Sequence, residues 1–142
     1  MGLLFLIPSF LPAQTAAELE TVMKASVVTC AQAARFVSAS VSDVPPRGNA
    51  QSDFEQALAK GWFPQGTTAN ERITLGKLSL LMMKAFNING GLLYAIFPGE
   101  RYAFRTMVSR SFIQGASDPA MTVSGENFLR ILGRVLSAEG GQ

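Results

Sequence analysis

A short pattern that recurs three times constrains the fold of this chain more than any other feature of its sequence. Each copy has a β-branched residue, then a hydroxyl residue, then apolar residues at helical spacing; the copies begin at Val28-Thr29, Ile73-Thr74 and Val123-Ser124. A hydroxyl residue in this place can cap the free N–H groups of a helix, and the residue before it sits where a hydrophobic staple packs. The spacings of 45 and 50 residues indicate one supersecondary unit per copy.

The other periodic segments are also typical of helices. With the three copies, the predicted helices are residues 17–25, 30–41, 53–60, 75–86, 100–110 and 125–136. Gln32 completes a capping box with Thr29, and a second box is predicted from Ser52 and Glu55, with Gly61 ending that helix. Sustained strand-like alternation is missing from the sequence. We therefore expect an all-α fold, a compact bundle of about six helices built from three helix-loop-helix repeats.

The segments upstream of the second and third copies also resemble each other. Phe54–Gly66 aligns with Tyr102–Gly115, which places the turn that starts at Trp62 opposite the turn that starts at Ser111. The Pro and Gly breaks between the helices are short, as expected for turns inside one domain. We therefore predict a single three-repeat domain over residues 17–137 and a flexible tail over residues 138–142.

The N-terminus is typical of an export signal. Leu3–Pro12 is almost wholly apolar, small residues follow it, and no charged residue precedes Glu18. Ten apolar residues are too few to span a bilayer but match the apolar part of a signal peptide, although Lys and Arg are missing before them. We predict a cleavable signal peptide over residues 1–16 and an exported, periplasmic or envelope-associated protein, peripheral to the membrane at most. A buried N-terminal segment and a retained membrane anchor are the alternatives.

Composition argues against most catalytic chemistry. The 142 residues include no His and a single Cys, so the commonest general base, the commonest metal ligand and every Cys cluster are missing. Carboxylate pairs such as Glu18 with Glu20 are two residues apart on a helix and face apart. We therefore expect no catalytic residues, no metal site and no cofactor. The net charge of +2 comes from signs mixed along the chain, without the basic footprint of a nucleic-acid binder.

These motifs, in this order, resemble those of the S-layer homology family. The matching segments are Ser42-Asp43-Val44-Pro45, Ala57–Phe63, Ile73-Thr74 with Leu78, Phe112–Gly115, Asp118-Pro119 and Val123-Ser124. The resemblance implies three motifs packed into a pseudo-threefold helical bundle that binds cell-wall polysaccharide in grooves between motifs. The Arg that contacts the ligand in that family is replaced here by Cys30, Leu75 and Gly125, and its acidic neighbour by Gln32, Lys77 and Asn127. The resemblance therefore supports the fold better than it supports glycan binding.

Candidate binding residues come from the third repeat and one turn. Arg101 and Arg105 lie one helical turn apart, with Arg110 further along, and guanidinium groups make paired hydrogen bonds to planar anions. Trp62 and Tyr102 could stack on sugar rings. The alternatives are a solvent-exposed helix face for the arginines and partly buried packing for the aromatic residues.

The features above predict a non-catalytic, exported binding or structural module that docks an envelope protein or a cell-wall polymer through grooves between repeats. A protein partner is favoured over a glycan because the family's contact Arg is missing. Polysaccharide anchoring and a helical DNA-binding protein are the alternative functions, and a carrier with Leu92–Phe97 as its pocket wall is a third. That apolar stretch fits a short helix, an extended connection or an exposed docking patch.

Overall fold

The computed structural model describes residues 16–41, 49–115 and 117–140. All regular elements in these ranges are helices: residues 16–24 (α1), Cys30–Ser40 (α2), Ala50–Ala59 (α3), Leu75–Ala85 (α4), Gly91–Ile96 (α5), Glu100–Ser109 (α6) and Gly125–Gly140 (α7). The all-α prediction is confirmed, with seven helices in the described part of the chain where about six were expected. None of these helices combines the length and apolar character needed to cross a bilayer. Residues 1–15 of the predicted signal peptide and the Ser42–Pro45 motif lie outside the described residues.

Three extended segments, just before α2, α4 and α7, meet in the middle of the molecule. Their residues Val28, Ile73 and Val123 have no exposed surface. The Ile73 N–H donates to the Val28 carbonyl at 2.9 Å, and the Val28 N–H donates to the Val123 carbonyl at 2.8 Å. The backbone polar groups of these segments are thereby satisfied inside the core. Around this centre α2 packs against α3 and α4 packs against α6, and α2 also contacts α4 and α7.

Side-chain caps fix where α2, α4 and α7 begin. Thr29 and Gln32 form the predicted capping box of α2. The Thr74 hydroxyl accepts from the Lys77 N–H at the start of α4, and the Ser124 hydroxyl accepts from the Asn127 N–H at the start of α7, both at 3.2 Å. Each cap satisfies one of the N–H groups that a helix start leaves free, so these three helices begin as predicted.

The start of α3 differs from the prediction. Its N-cap is Asn49, whose side-chain oxygen accepts from the Ser52 N–H at 2.8 Å. The Ser52 hydroxyl donates to the Asn49 carbonyl instead of capping a helix of its own. The predicted capping box of Ser52 with Glu55 is therefore wrong, because Asn49 is an equally good cap that lies one turn earlier.

The turns after α3 and α6 correspond with a shift of one residue from the sequence alignment. Gly61 and Ser111 both have a positive φ, 80° and 65°. The Trp62 N–H donates to the Ala57 carbonyl, and the Phe112 N–H makes the equivalent bond to Met107. Trp62 therefore corresponds to Phe112, not to Ser111, because the left-handed residue that ends each helix sets the register of the turn.

Two further differences concern connections and the C-terminus. The connection between α4 and α6 is five residues longer than that between α2 and α3, and it contains α5. Helix α7 continues to Gly140, so residues 138–140 are helical and the tail predicted from residue 138 is wrong there. Leu92–Ile96 lie on this short helix and Phe97 is its C-cap, which excludes the extended connection among the alternatives for this stretch.

Candidate functional site

A groove lies where α4, α6 and the loop before α7 meet. Its volume is about 830 Å³, within the range of ligand sites in proteins. It is lined by Thr74, Lys77, Glu100, Arg101, Phe104, Arg105, Pro119 and Ala120. Helix α4 forms one wall of the groove, and α6 forms the wall opposite it.

A glycine allows the walls of the groove to approach each other. A Cβ at Gly76 would lie 3.0 Å from Glu100 Oε1 and 3.2 Å from the Pro119 carbonyl oxygen. The Gly76 N–H donates to that same carbonyl at 2.9 Å, and the neighbouring Leu75 N–H donates to the Met121 carbonyl at 2.8 Å. The first turn of α4 is therefore held against both the start of α6 and the loop before α7.

Lys77 links the two walls electrostatically. Its Nζ lies 3.2 Å from Glu71 Oε2 and 3.9 Å from Glu100 Oε2. Burial opposes the charged form of Lys77, but the two carboxylates outweigh it and raise the pKa of the ammonium above its ordinary value. The Thr68 N–H and Lys77 together lower the pKa of Glu71 below its ordinary value. Both shifts favour the ionised forms of Lys77 and Glu71, and the Lys77 ammonium lies between the Glu71 and Glu100 carboxylates.

Arg101 and Arg105 differ from Lys77 because both are exposed. They lie one turn apart on α6 and line the groove beside the buried ring of Phe104. Among the described residues neither guanidinium takes part in an ion pair, whereas Arg35, Lys77 and Arg130 all do. Their hydrogen-bond donors are available to an anion that enters from solvent.

The structure separates the five predicted binding residues. Arg101 and Arg105 line the groove together. Tyr102, between them in sequence, is half-buried and stacks on Phe97 with ring centroids 6.3 Å apart. Trp62 is only 8% exposed, and Lys60 Nζ lies 5.0 Å from the centre of its ring, so it offers no open stacking face. Arg110 lies away from the groove and donates to the Asn89 carbonyl at 2.6 Å.

Sequence reasoning did not identify Lys77, Glu100 and Phe104 as site residues. Phe104 follows the apolar spacing of α6, which marks it as a core residue with no hint of a groove. The sequence did contain a clue to Lys77, because a basic residue stands here where the resembled family has an acidic one. The sequence contained no clue to Glu100, since its role depends on the approach of α6 to α4.

A second, shallower hollow lies between the end of α6 and α7. Its lining includes Arg110, Arg130 and Arg134, but each of these has a partner. Arg130 pairs with Glu126 on its own helix, and Arg134 donates to the Phe112 carbonyl at 3.1 Å. These contacts give the arginines structural roles. In the part of the chain that the structure describes, no group of three or more His, Cys, Asp or Glu side chains is placed to hold a metal ion.

Comparison of the chain with protein-family models, with curated proteins and with solved structures finds no match.

Proposed function

We propose that this protein is an exported, non-catalytic binding module that docks an envelope protein through the groove between α4 and α6. The observation that carries the proposal is the pair of exposed, unpaired guanidinium groups of Arg101 and Arg105 beside an apolar floor. A ligand with acidic groups about one helical turn apart and an apolar group between them would satisfy both features.

An acidic protein segment fits this groove better than a neutral glycan does. Neither candidate stacking ring lines this groove: Trp62 is buried, and Tyr102 stacks on Phe97 outside it. Sugar recognition commonly uses such rings, whereas carboxylate recognition needs only the guanidinium groups. The S-layer-homology-like motifs support the same placement, because ligands of that family bind in grooves between motifs.

The test is co-sedimentation of the purified chain with envelope fragments, before and after the fragments are stripped with protease. We expect the chain to bind untreated fragments and to lose binding after stripping. The variant Arg101→Glu/Arg105→Glu should bind at least about tenfold more weakly, since a hydrogen bond to a charged group contributes more than about 1.4 kcal/mol.

Lys24→Glu/Arg130→Glu is the matched control, because it changes the net charge equally at exposed positions outside the groove. It should bind within about twofold of the parent chain. If both variants lost binding equally, the loss would follow from the change in net charge, which would contradict specific binding in the groove. Binding that survives stripping would assign the groove to a polysaccharide and overturn the protein partner.

The alternative of DNA binding has less support from the geometry. A recognition helix must present one face to the major groove, yet the capped helices α2 and α4 bury six and eight of their residues. Retention on DNA at low salt that declines steeply as salt is added would favour this alternative over the groove.

A further inference from the structure

Helix α5 is the most exposed apolar surface in the described part of the chain. Leu92, Leu93, Ile96 and Phe97 are 75%, 50%, 57% and 59% exposed, and none of the residues of α5 is buried. By contrast, α2, α3, α4 and α6 each have at least three buried residues. Apolar side chains clustered in this way on an exposed element mark a surface that associates with something else.

The helix is nevertheless held in place from below. The ring of Tyr94 lies over Gly90, where a Cβ would approach it to 2.6 Å, and Tyr94 packs against the core. One side chain of α6 and its C-cap residue also secure the preceding loop: the Thr106 hydroxyl donates to the Gly90 carbonyl at 3.2 Å, and Arg110 donates to the Asn89 carbonyl. The outward direction of the four apolar side chains is therefore fixed by contacts on the opposite face.

The surroundings of this patch are positively charged. Between residues 84 and 110 the chain has four basic residues, Lys84, Arg101, Arg105 and Arg110, against Glu100 alone, whereas elsewhere eight basic residues stand against nine acidic ones. Arg110 reaches the loop before α5, and Arg101 lines a hollow with Ile96 and Phe97 at its other end. An arginine therefore lies at each end of the apolar patch.

From this arrangement we propose that α5 is a membrane-docking element, whose apolar side chains enter the headgroup region of a bilayer that contains anionic lipid. Peripheral membrane binding has two components: apolar side chains enter the interface, and basic residues attract anionic headgroups. The long, exposed side chain of Arg101 can keep its guanidinium group at headgroup level while its stem follows the apolar surface, and Arg110, held by the Asn89 carbonyl, adds a fixed positive charge at the other end.

A second copy of the chain fits this surface less well than a lipid surface does. Two such patches facing each other would bring the basic residues of both copies together, which is unfavourable. The patch also rests on one helix of six residues, which is small beside the area that a stable interface buries. An anionic bilayer meets neither objection, since it supplies the opposite charge and an apolar layer together.

The test is flotation of the full chain with vesicles of phosphatidylcholine alone and of phosphatidylcholine mixed with phosphatidylglycerol. We expect at least fivefold stronger binding to the mixed vesicles, reduced by added salt. Leu92→Ser/Ile96→Ser should bind these vesicles at least tenfold more weakly, with an unchanged helical circular dichroism spectrum because both side chains are exposed. Met23→Ser/Met121→Ser, at 57% and 47% exposed positions elsewhere, is the matched control and should bind within twofold of the parent.

Equal binding by the Leu92→Ser/Ile96→Ser variant, or no binding of the parent chain to the mixed vesicles, would overturn the proposal. A dimer seen by light scattering that this variant dissociates would assign the patch to a second copy and would also overturn it. These variants keep Arg101 and Arg105, so loss of lipid binding is distinguishable from failure of the groove between α4 and α6.

Discussion

The α2–α3 junction and the α4–α6 junction have the same arrangement of helices but are held together differently. At the first, Arg35 of α2 donates at 3.0 Å to Asp53 of α3, which is fully buried, and also pairs with Glu18 of α1. Counted from the N-caps, the corresponding residues of the second junction are Leu80 and Ala103, both buried. Charged side chains therefore join α2 to α3 at these positions, whereas apolar side chains join α4 to α6.

The charges of the α4–α6 junction lie instead at its rim. Lys77 and Glu100 face each other in the groove, whereas the corresponding residues of the first junction, Gln32 and Ala50, are uncharged. Charges buried between helices are committed to each other, but charges on the wall of a groove can be reached by a ligand. The comparison teaches that two helix junctions of one fold can differ in the depth at which their charges lie, which decides whether those charges are accessible from solvent.

Placing an unpaired charge in the apolar junction should have the largest effect. Ala103→Asp puts a carboxylate at a fully buried position of the apolar core, and we expect a loss of about 4 kcal/mol in the free energy of unfolding. Urea unfolding followed by circular dichroism measures the loss. Ser109→Asp, at an exposed position on the same helix, is the control and should cost less than about 1 kcal/mol. Similar losses in the two variants would contradict the closed packing of this junction.

Breaking the charged junction should have the next largest effect. Asp53→Ala leaves Arg35, which is 16% exposed, with Glu18 as its remaining ion-pair partner, and we expect a loss of about 3 kcal/mol. Arg35→Leu/Asp53→Ala reproduces the Leu80–Ala103 pair and should lose no more than about 1 kcal/mol, since Glu18 can turn to solvent. If the double variant were as unstable as Asp53→Ala, an apolar pair could not replace the charged one.

The ions at the groove should contribute less, with a dependence on pH. The pKa of Glu71 is lower in the folded chain than its ordinary value of 4.5, so ionised Glu71 favours folding above that pH. The contribution is lost as the pH falls through the folded-state pKa. Glu71→Gln should therefore lose less than about 1 kcal/mol at pH 7, and the difference should shrink in acid. Urea unfolding of both proteins across this range checks it; a difference independent of pH would contradict the ionic contribution.

The smallest expected effect concerns Cys30, which should not react with an alkylating agent while the chain is folded. Counted from the N-caps it corresponds to Leu75 of α4; it is fully buried, and its pKa is raised to about 12 by burial and then by Glu71. Because the thiolate is the reactive form, iodoacetamide should label Cys30 only when the chain unfolds. Mass spectrometry with increasing urea measures the rate. Rapid labelling without urea would show that the first junction is more open than its ion pairs indicate.

Local patterns in the sequence predicted the helices well but the site only in part. Thr29, Thr74 and Ser124 marked helix starts because capping depends on residues within one turn. The ion pairs of Arg35 could not be predicted, since Glu18 and Asp53 are far from it in sequence and meet it only in the fold. The same reason hid Glu100 from the groove, whereas Arg101 and Arg105 were found because one helical turn relates them.

The most direct test of the division between the two junctions is a two-dimensional ¹H–¹⁵N NMR titration of the labelled chain with a solubilised envelope fraction that binds it. The account predicts that the amide signals that move belong to the groove, with Gly76, Lys77, Arg101, Arg105 and Ala120 among them, and that Arg35 and Asp53 keep their positions. Movement centred on Arg35 and Asp53, with the groove signals unchanged, would contradict it.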